Sequence, residues 1–163
     1  MSKAQAEARL GIRLARQADA EAMFTLHRRS VLTLCREAYT AHQLDAWFVE
    51  RSPAIYAPAL AAQRIHVACR GDALVGFVGF EPGEVTLLFV DPDASGSGVG
   101  QALFEFGLAA ARVGHRGPLR VVATKNALRF YERRGFAETG RLMLERGDPV
   151  VLIEVVEMQQ TAA

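Results

Sequence analysis

Residues 89–103 (FVDPDASGSGVGQAL) limit what this chain can fold into more than any other stretch. An apolar run with strand character enters Ser95-Gly96-Ser97-Gly98-Val99-Gly100, and a helical pattern starts at once. Glycines let the backbone turn tightly and leave no side chain between its N–H groups and a ligand. The first N–H groups of a helix lack partners within it and carry partial positive charge. A strand–loop–helix of this kind is therefore a seat for a phosphate or pyrophosphate.

The surrounding pattern places that unit in a mixed domain. Residues 11–15 read as a strand, and Asp19 as the cap of a helix whose buried face is Ala20, Met23, Phe24, Val31, Leu34 and Cys35. A second helix is expected over residues 42–51, ending before Pro53. Residues 64–70, 73–80 and 84–90, separated by Gly71-Asp72 and Pro82-Gly83, predict an antiparallel meander. Val99, Leu103, Phe106, Ala110 and Val113 then follow helical spacing from Gly98. A short strand at 119–123 follows, then a compact helix capped by Asn126 and stopped at Gly135, then strands at 137–145 and 150–158. This order predicts a single α+β domain over 1–163, with residues 1–10 frayed and a right-handed crossover between the fourth and fifth strands.

Composition narrows the function classes. The formal net charge is +1, which gives no reason to expect nucleic acid or a membrane surface as partner. No run approaches the roughly twenty apolar residues of a membrane span, and residues 1–10 lack a signal-peptide core, so a cytoplasmic protein is expected. Cys35 and Cys69 are far apart and read as free thiols of a reducing compartment. His27, His42, His66 and His115 have no metal-ligand spacing, and no metal is expected. The Gly96-Ser97-Gly98 fragment lacks the rest of a hydrolase nucleophile elbow.

Several glycine-loop readings compete. A nucleotide P-loop needs Lys and Ser/Thr where Gln101 and Ala102 stand. A Rossmann loop needs GxGxxG at the opening of a parallel βαβ unit, whereas here GxGxG follows an antiparallel meander. Coenzyme A, whose pyrophosphate suits the same cradle, is a third reading, and a purely structural loop is a fourth.

A second motif bears on the choice. Residues 126–136 (NALRFYERRGF) follow the fifth strand, and this NAxxFYxxxGF run behind the glycine loop resembles the GNAT superfamily of N-acetyltransferases. The loop itself resembles that family's acetyl-coenzyme A signature, Q/R-x-x-G-x-G/A, with Ser95 standing where the family has Gln or Arg. The element order over residues 11–158 matches as well.

The resemblance implies a GNAT-like central mixed, mostly antiparallel sheet of about seven strands, flanked by about four helices and splayed between the fourth and fifth strands. It implies acetyl-coenzyme A as cosubstrate, held by Phe89, Val90, Ser95, Gly96, Ser97, Gly98, Val99, Gly100, Gln101, Asn126 and Phe130. Transfer would go directly to the amine of a small molecule or peptide. Backbone groups of Phe89 and Val90 would polarise the thioester, and Tyr131 would protonate the leaving thiolate. Glu84 is the first candidate for general base and Glu81 the second, although Glu84 also reads as an exposed strand-end carboxylate. Arg112, Arg129 or Arg133 could meet the cofactor's phosphates, and Tyr39, His42 and Trp47 could line an acceptor pocket. A homodimer through the last strands follows from family habit. A coenzyme A-sensing module with degraded catalysis and a Rossmann-like nucleotide binder are the alternatives.

Overall fold

The computed structural model describes residues 2–161. Its centre is one seven-stranded sheet. The strands are β1 (Leu10–Leu14), β2 (Ile65–Arg70), β3 (Ala73–Glu81), β4 (Glu84–Val90), β5 (Arg120–Ala123), β6 (Phe136–Arg146) and β7 (Val151–Gln160). Their order across the sheet is β1-β2-β3-β4-β5-β7-β6. Every neighbouring pair is antiparallel except β4 and β5, which run parallel. One parallel pair in an otherwise antiparallel sheet excludes the doubly wound Rossmann alternative.

The helices are α1 (Lys3–Glu7), α2 (Ala20–Leu34), α3 (Ala41–Ala46), α4 (Ala57–Ala61), α5 (Val99–Arg112) and α6 (Leu128–Glu132). The sequence reading differs at several points. A single turn, α1, forms where fraying was expected. The second helix stops at Ala46, and α4, a short helix beginning Ala-Pro, was missed. Asp19 does not cap α2 with its side chain; its carboxylate accepts from Arg13 at 2.8 and 2.9 Å and from the Arg16 N–H at 2.7 Å. The guanidinium fork offers two charge-assisted bonds, which outcompete the helix N–H groups for the same oxygens.

Both faces of the sheet are covered, and strand alternation divides the core accordingly. On β3, Phe77 belongs to the layer with Met23 and Leu26 of α2, while Val78 belongs to the layer with Leu103 and Phe104 of α5. The close seat of α5 depends on a small residue beneath it. A Cβ on Gly76 would lie 2.7 Å from Leu103 Cδ1 and 3.0 Å from the Phe89 carbonyl oxygen. The side chain can rotate away, but the backbone oxygen is fixed by the β3–β4 ladder.

Gly76→Ala should therefore destabilise the fold by about 1–3 kcal/mol, lowering Tm by roughly 2–12 °C for a chain of this size. Thermal unfolding by circular dichroism measures this. An unchanged Tm would show that α5 does not press on the sheet at this point.

Candidate active site

The site grows from an interruption in the sheet. β4 and β5 pair only at Glu84↔Arg120 and Val85↔Val121, then diverge. Just beyond, Gly79↔Leu87 and Phe80↔Val85 leave Thr86 as an extra residue on β4, a β-bulge. After the bulge, the Asp91 N–H donates to the Val75 carbonyl at 2.8 Å. The N–H and C=O of one residue point to the same side of an antiparallel strand and alternate along it. Leu87 and Phe89 thus bond towards β3, while the backbone groups of Leu88 and Val90 face the gap. The Phe89 backbone is therefore used within the sheet, and Leu88, which the sequence reading did not name, faces the gap beside Val90.

The glycine loop closes one end of the gap. Asp91 accepts from the Asp93 N–H at 2.9 Å, and a tight turn, Pro92–Ala94, leads into Ser95. Gly96 and Gly98 have φ of 77° and 86°, left-handed values that favour glycine, and no atom lies within 4 Å of where their Cβ would be. The first backbone bond of α5 runs from the Ala102 N–H to the Gly98 carbonyl at 3.1 Å. The N–H groups of Val99, Gly100 and Gln101 therefore have no partner among the described residues. Ser97 is exposed, its hydroxyl folding back to donate to the Ala94 carbonyl at 2.5 Å, and the Val99 side chain is fully buried in the core. These two residues serve the cradle through its backbone conformation.

A cavity of about 690 Å³ runs from this cradle along β4. Ser95, Gly96, Gly98, Gly100, Gln101, Asn126, Phe130 and Tyr131 line it, together with Leu88, Phe89 and Val90. Both sequence motifs thus converge on one cavity. Tyr131 is only 6% exposed, with its ring 5.3 Å from that of Phe104 and 5.2 Å from that of Phe130. Its hydroxyl has no partner among the described residues and is not sealed off. Burial pushes this phenol above its ordinary pKa, so it stays protonated.

Arg134, which the sequence reading passed over, lines the cavity and lies 3.6 Å above the Phe130 ring, donating to the Phe130 carbonyl at 2.8 Å. Arg112 is instead tied to the Gly117 carbonyl and Gln160. Asn126 is exposed in the turn Lys125–Ala127 and does not cap α6, whose N-cap residue is Ala127. It lines the cavity with Thr124 and Cys35, whose thiol burial pushes up against the opposing pull of those two polar side chains.

Other expected residues lie elsewhere. Glu84 sits at the opposite end of β4 from Val90, roughly 20 Å away along an extended strand. It is half-buried, 3.6 Å from Arg120, and burial raises its carboxyl against the pull of that guanidinium. Glu84 and the adjacent Glu81 are outside the cavity, because the only paired part of β4–β5 is the end that carries them. Tyr39 and Trp47 are core residues with rings 5.0 Å apart. The Tyr39 hydroxyl donates to the Glu154 carbonyl at 2.6 Å and accepts from the Lys125 N–H at 3.0 Å. His42 is exposed on α3. One side of the cavity is instead walled by α2, through Ser30, Val31 and Leu34, and by Cys35 just beyond it. Among the described residues, no cluster of side chains could hold a metal.

Behind β4, His27 stacks on Phe89 with centroids 3.8 Å apart, and its Nδ1 is hydrogen-bonded to the Tyr56 hydroxyl at 2.9 Å. Burial pushes this imidazole down to about 3.

The pattern of the acetyltransferase (GNAT) domain family matches residues 35–159. Among solved structures, a GCN5-related N-acetyltransferase from Rhodopseudomonas palustris superposes with a TM-score of 0.79 at 22% identity, covering 93% of this chain and 95% of that one. The apo form of YjaB from Escherichia coli gives 0.69 at 25% identity, over 95% and 99% of the two chains. YncA from Salmonella typhimurium, described as a putative acetyltransferase and solved with acetyl-coenzyme A, gives 0.66 at 20% identity, over 93% of each chain.

The buried imidazole yields a test of the packing behind β4. Its folded pKa lies below the ordinary 6.5, so the unfolded state binds the proton better. Its contribution is complete above pH 6.5 and is lost as pH falls towards 3, by up to about 1.4 kcal/mol per pH unit. Urea unfolding of the wild type between pH 7 and 4 should show this slope in excess of that of His27→Gln. Equal slopes in the two proteins would mean that His27 is not held neutral.

Proposed function

The chain belongs to the GNAT acetyltransferase family, and from that premise we propose that the cavity between β4 and β5 is its transfer site. The protein is an acetyltransferase that passes the acetyl group of acetyl-coenzyme A to an amine. The cosubstrate supplies a thioester carbonyl as electrophile, and the chain's own residues do the rest. The observation that carries this reading is the joining of unpartnered α5 N–H groups and the unpaired edge of β4 in one cavity with Tyr131.

The N–H groups of Val99, Gly100 and Gln101 hold the pyrophosphate, with the helix dipole behind them. The open N–H and C=O groups of Leu88 and Val90 bond the pantetheine arm, and a β4 N–H polarises the thioester oxygen. Arg134, held over Phe130, adds positive charge at the phosphate end. The Tyr131 hydroxyl gives its proton to the departing sulfur. Ser95 weakens this cradle little, since its contacts come from backbone. Glu84 has no part in the scheme.

We further propose a cytoplasmic enzyme, consistent with the finding that no helix among the described residues is long and apolar enough to cross a membrane. A homodimer across β6 is also proposed. This strand lies at the edge of the sheet and leaves Met143 54% exposed. A mass near 17.8 kDa by light scattering at micromolar concentration would count against the dimer.

Thermal unfolding with acetyl-coenzyme A at a hundred times its Kd should show about 2.7 kcal/mol of stabilisation, a rise of roughly 5–11 °C, with no rise from NADH. Tyr131→Phe should keep that rise and lose about a hundredfold or more in kcat. A Tm unmoved by acetyl-coenzyme A would sink the transfer site. Wild-type turnover with any amine would eliminate a purely sensing module.

A further inference from the structure

The acceptor wall has a chemical character of its own. α2 presents Ser30, Val31 and Leu34 to the cavity, with Cys35 just beyond it, β4 presents Leu88, and the segment after β5 presents Thr124. All six are uncharged at neutral pH; Cys35 is buried and its thiol is pushed up, away from the thiolate. Among the described residues, Arg134 is the one charged side chain on the cavity surface, and it is positive. The carboxylates around the site are turned to other work. Asp91 is held by Arg29 at 2.7 Å, and Glu84 lies beside Arg120 at the far end of β4.

An alkylammonium entering this wall would lose its water and find no counter-charge. Building on the transfer site proposed above, we propose that the acceptor is an apolar molecule whose reacting nitrogen is uncharged at neutral pH, of the arylamine or hydrazine class. Such a nitrogen needs no protein carboxylate. Its lone pair attacks the thioester carbon, the C–N bond forms, and the C–S bond breaks with its electron pair going to sulfur. The proton shed by nitrogen reaches that sulfur through the Tyr131 hydroxyl or water. One amide and one thiol result, and no external base is consumed.

Phenylhydrazine and benzylamine are nearly the same shape, but at pH 7 the first is uncharged and the second is an ammonium. Initial rates of thiol release by the full chain with acetyl-coenzyme A, corrected for the protein-free reaction, compare them. The expected result is a kcat/KM for phenylhydrazine at least about tenfold higher at pH 7. That gap should narrow towards pH 9 as benzylamine deprotonates, since an alkylamine is free to only about one part in a thousand at neutrality. Leu34→Glu, at a position already 38% exposed, places a carboxylate on the wall and should shift the preference towards benzylamine. A wild type that prefers benzylamine or spermidine at pH 7 overturns the inference. Thiol release from neither probe, with acetyl-coenzyme A still raising Tm, also overturns it while leaving the cosubstrate reading intact. Failure of acetyl-coenzyme A to raise Tm removes the reading beneath it.

Discussion

A strand inside a sheet must bond its backbone on both edges, and β4 does so on only one edge for most of its length. Leaving an enclosed N–H or C=O without a partner costs about 1–3 kcal/mol, so the gap beyond Val85 has to stay wet or be filled by a chain-like ligand. The bulge at Thr86 fixes which residues face it. The rest of the architecture serves this opening. α5 seals one face and points its N-terminus into the gap, α2 walls the other side, and β5 resumes the sheet with β7.

The two ends of the cavity differ in character. Towards α5 and α6 there are free N–H groups and a guanidinium stacked on an aromatic ring, a setting for phosphate. Towards α2 the surface is small, apolar and neutral. Tyr131 lies in an aromatic cluster and keeps its proton because its surroundings disfavour the phenolate. The Tyr39 hydroxyl bridges β7 to the segment after β5, so a residue expected to meet substrate instead holds the second half of the sheet in place.

What could be read from the sequence was the local chemistry. The glycine loop, the start of α5 and the exact span of β4 announce themselves through backbone demands and periodicity, and the NAxxFYxxxGF run placed Phe130 and Tyr131 in the same cavity as the loop. Where the reading failed, the deciding facts were non-local. Whether Glu84 meets the substrate depends on which end of β4 pairs with β5, and no property of residues 84–90 encodes that. Which β4 backbone groups face the gap was not legible either, because the bulge at Thr86 depends on the register with β3. Trp47 and Tyr39 read equally well as lining or as core until the sheet beneath them is known. Arg134 was overlooked among three neighbouring arginines because only the turn of α6 decides which of them faces inward.

The donors that the cradle offers are main-chain N–H groups, and its form is stored in the φ angles of Gly96 and Gly98 and in the buried Val99. Natural selection can therefore rewrite most of the loop's outward chemistry without erasing the ligand it holds. A consensus that lists side chains would then score such a loop as degenerate while its conformation is intact. Ser95 is exposed in the loop, and no part of that conformation rests on its side chain. Recognition of this kind is written in torsion angles, which a comparison of side chains alone does not read.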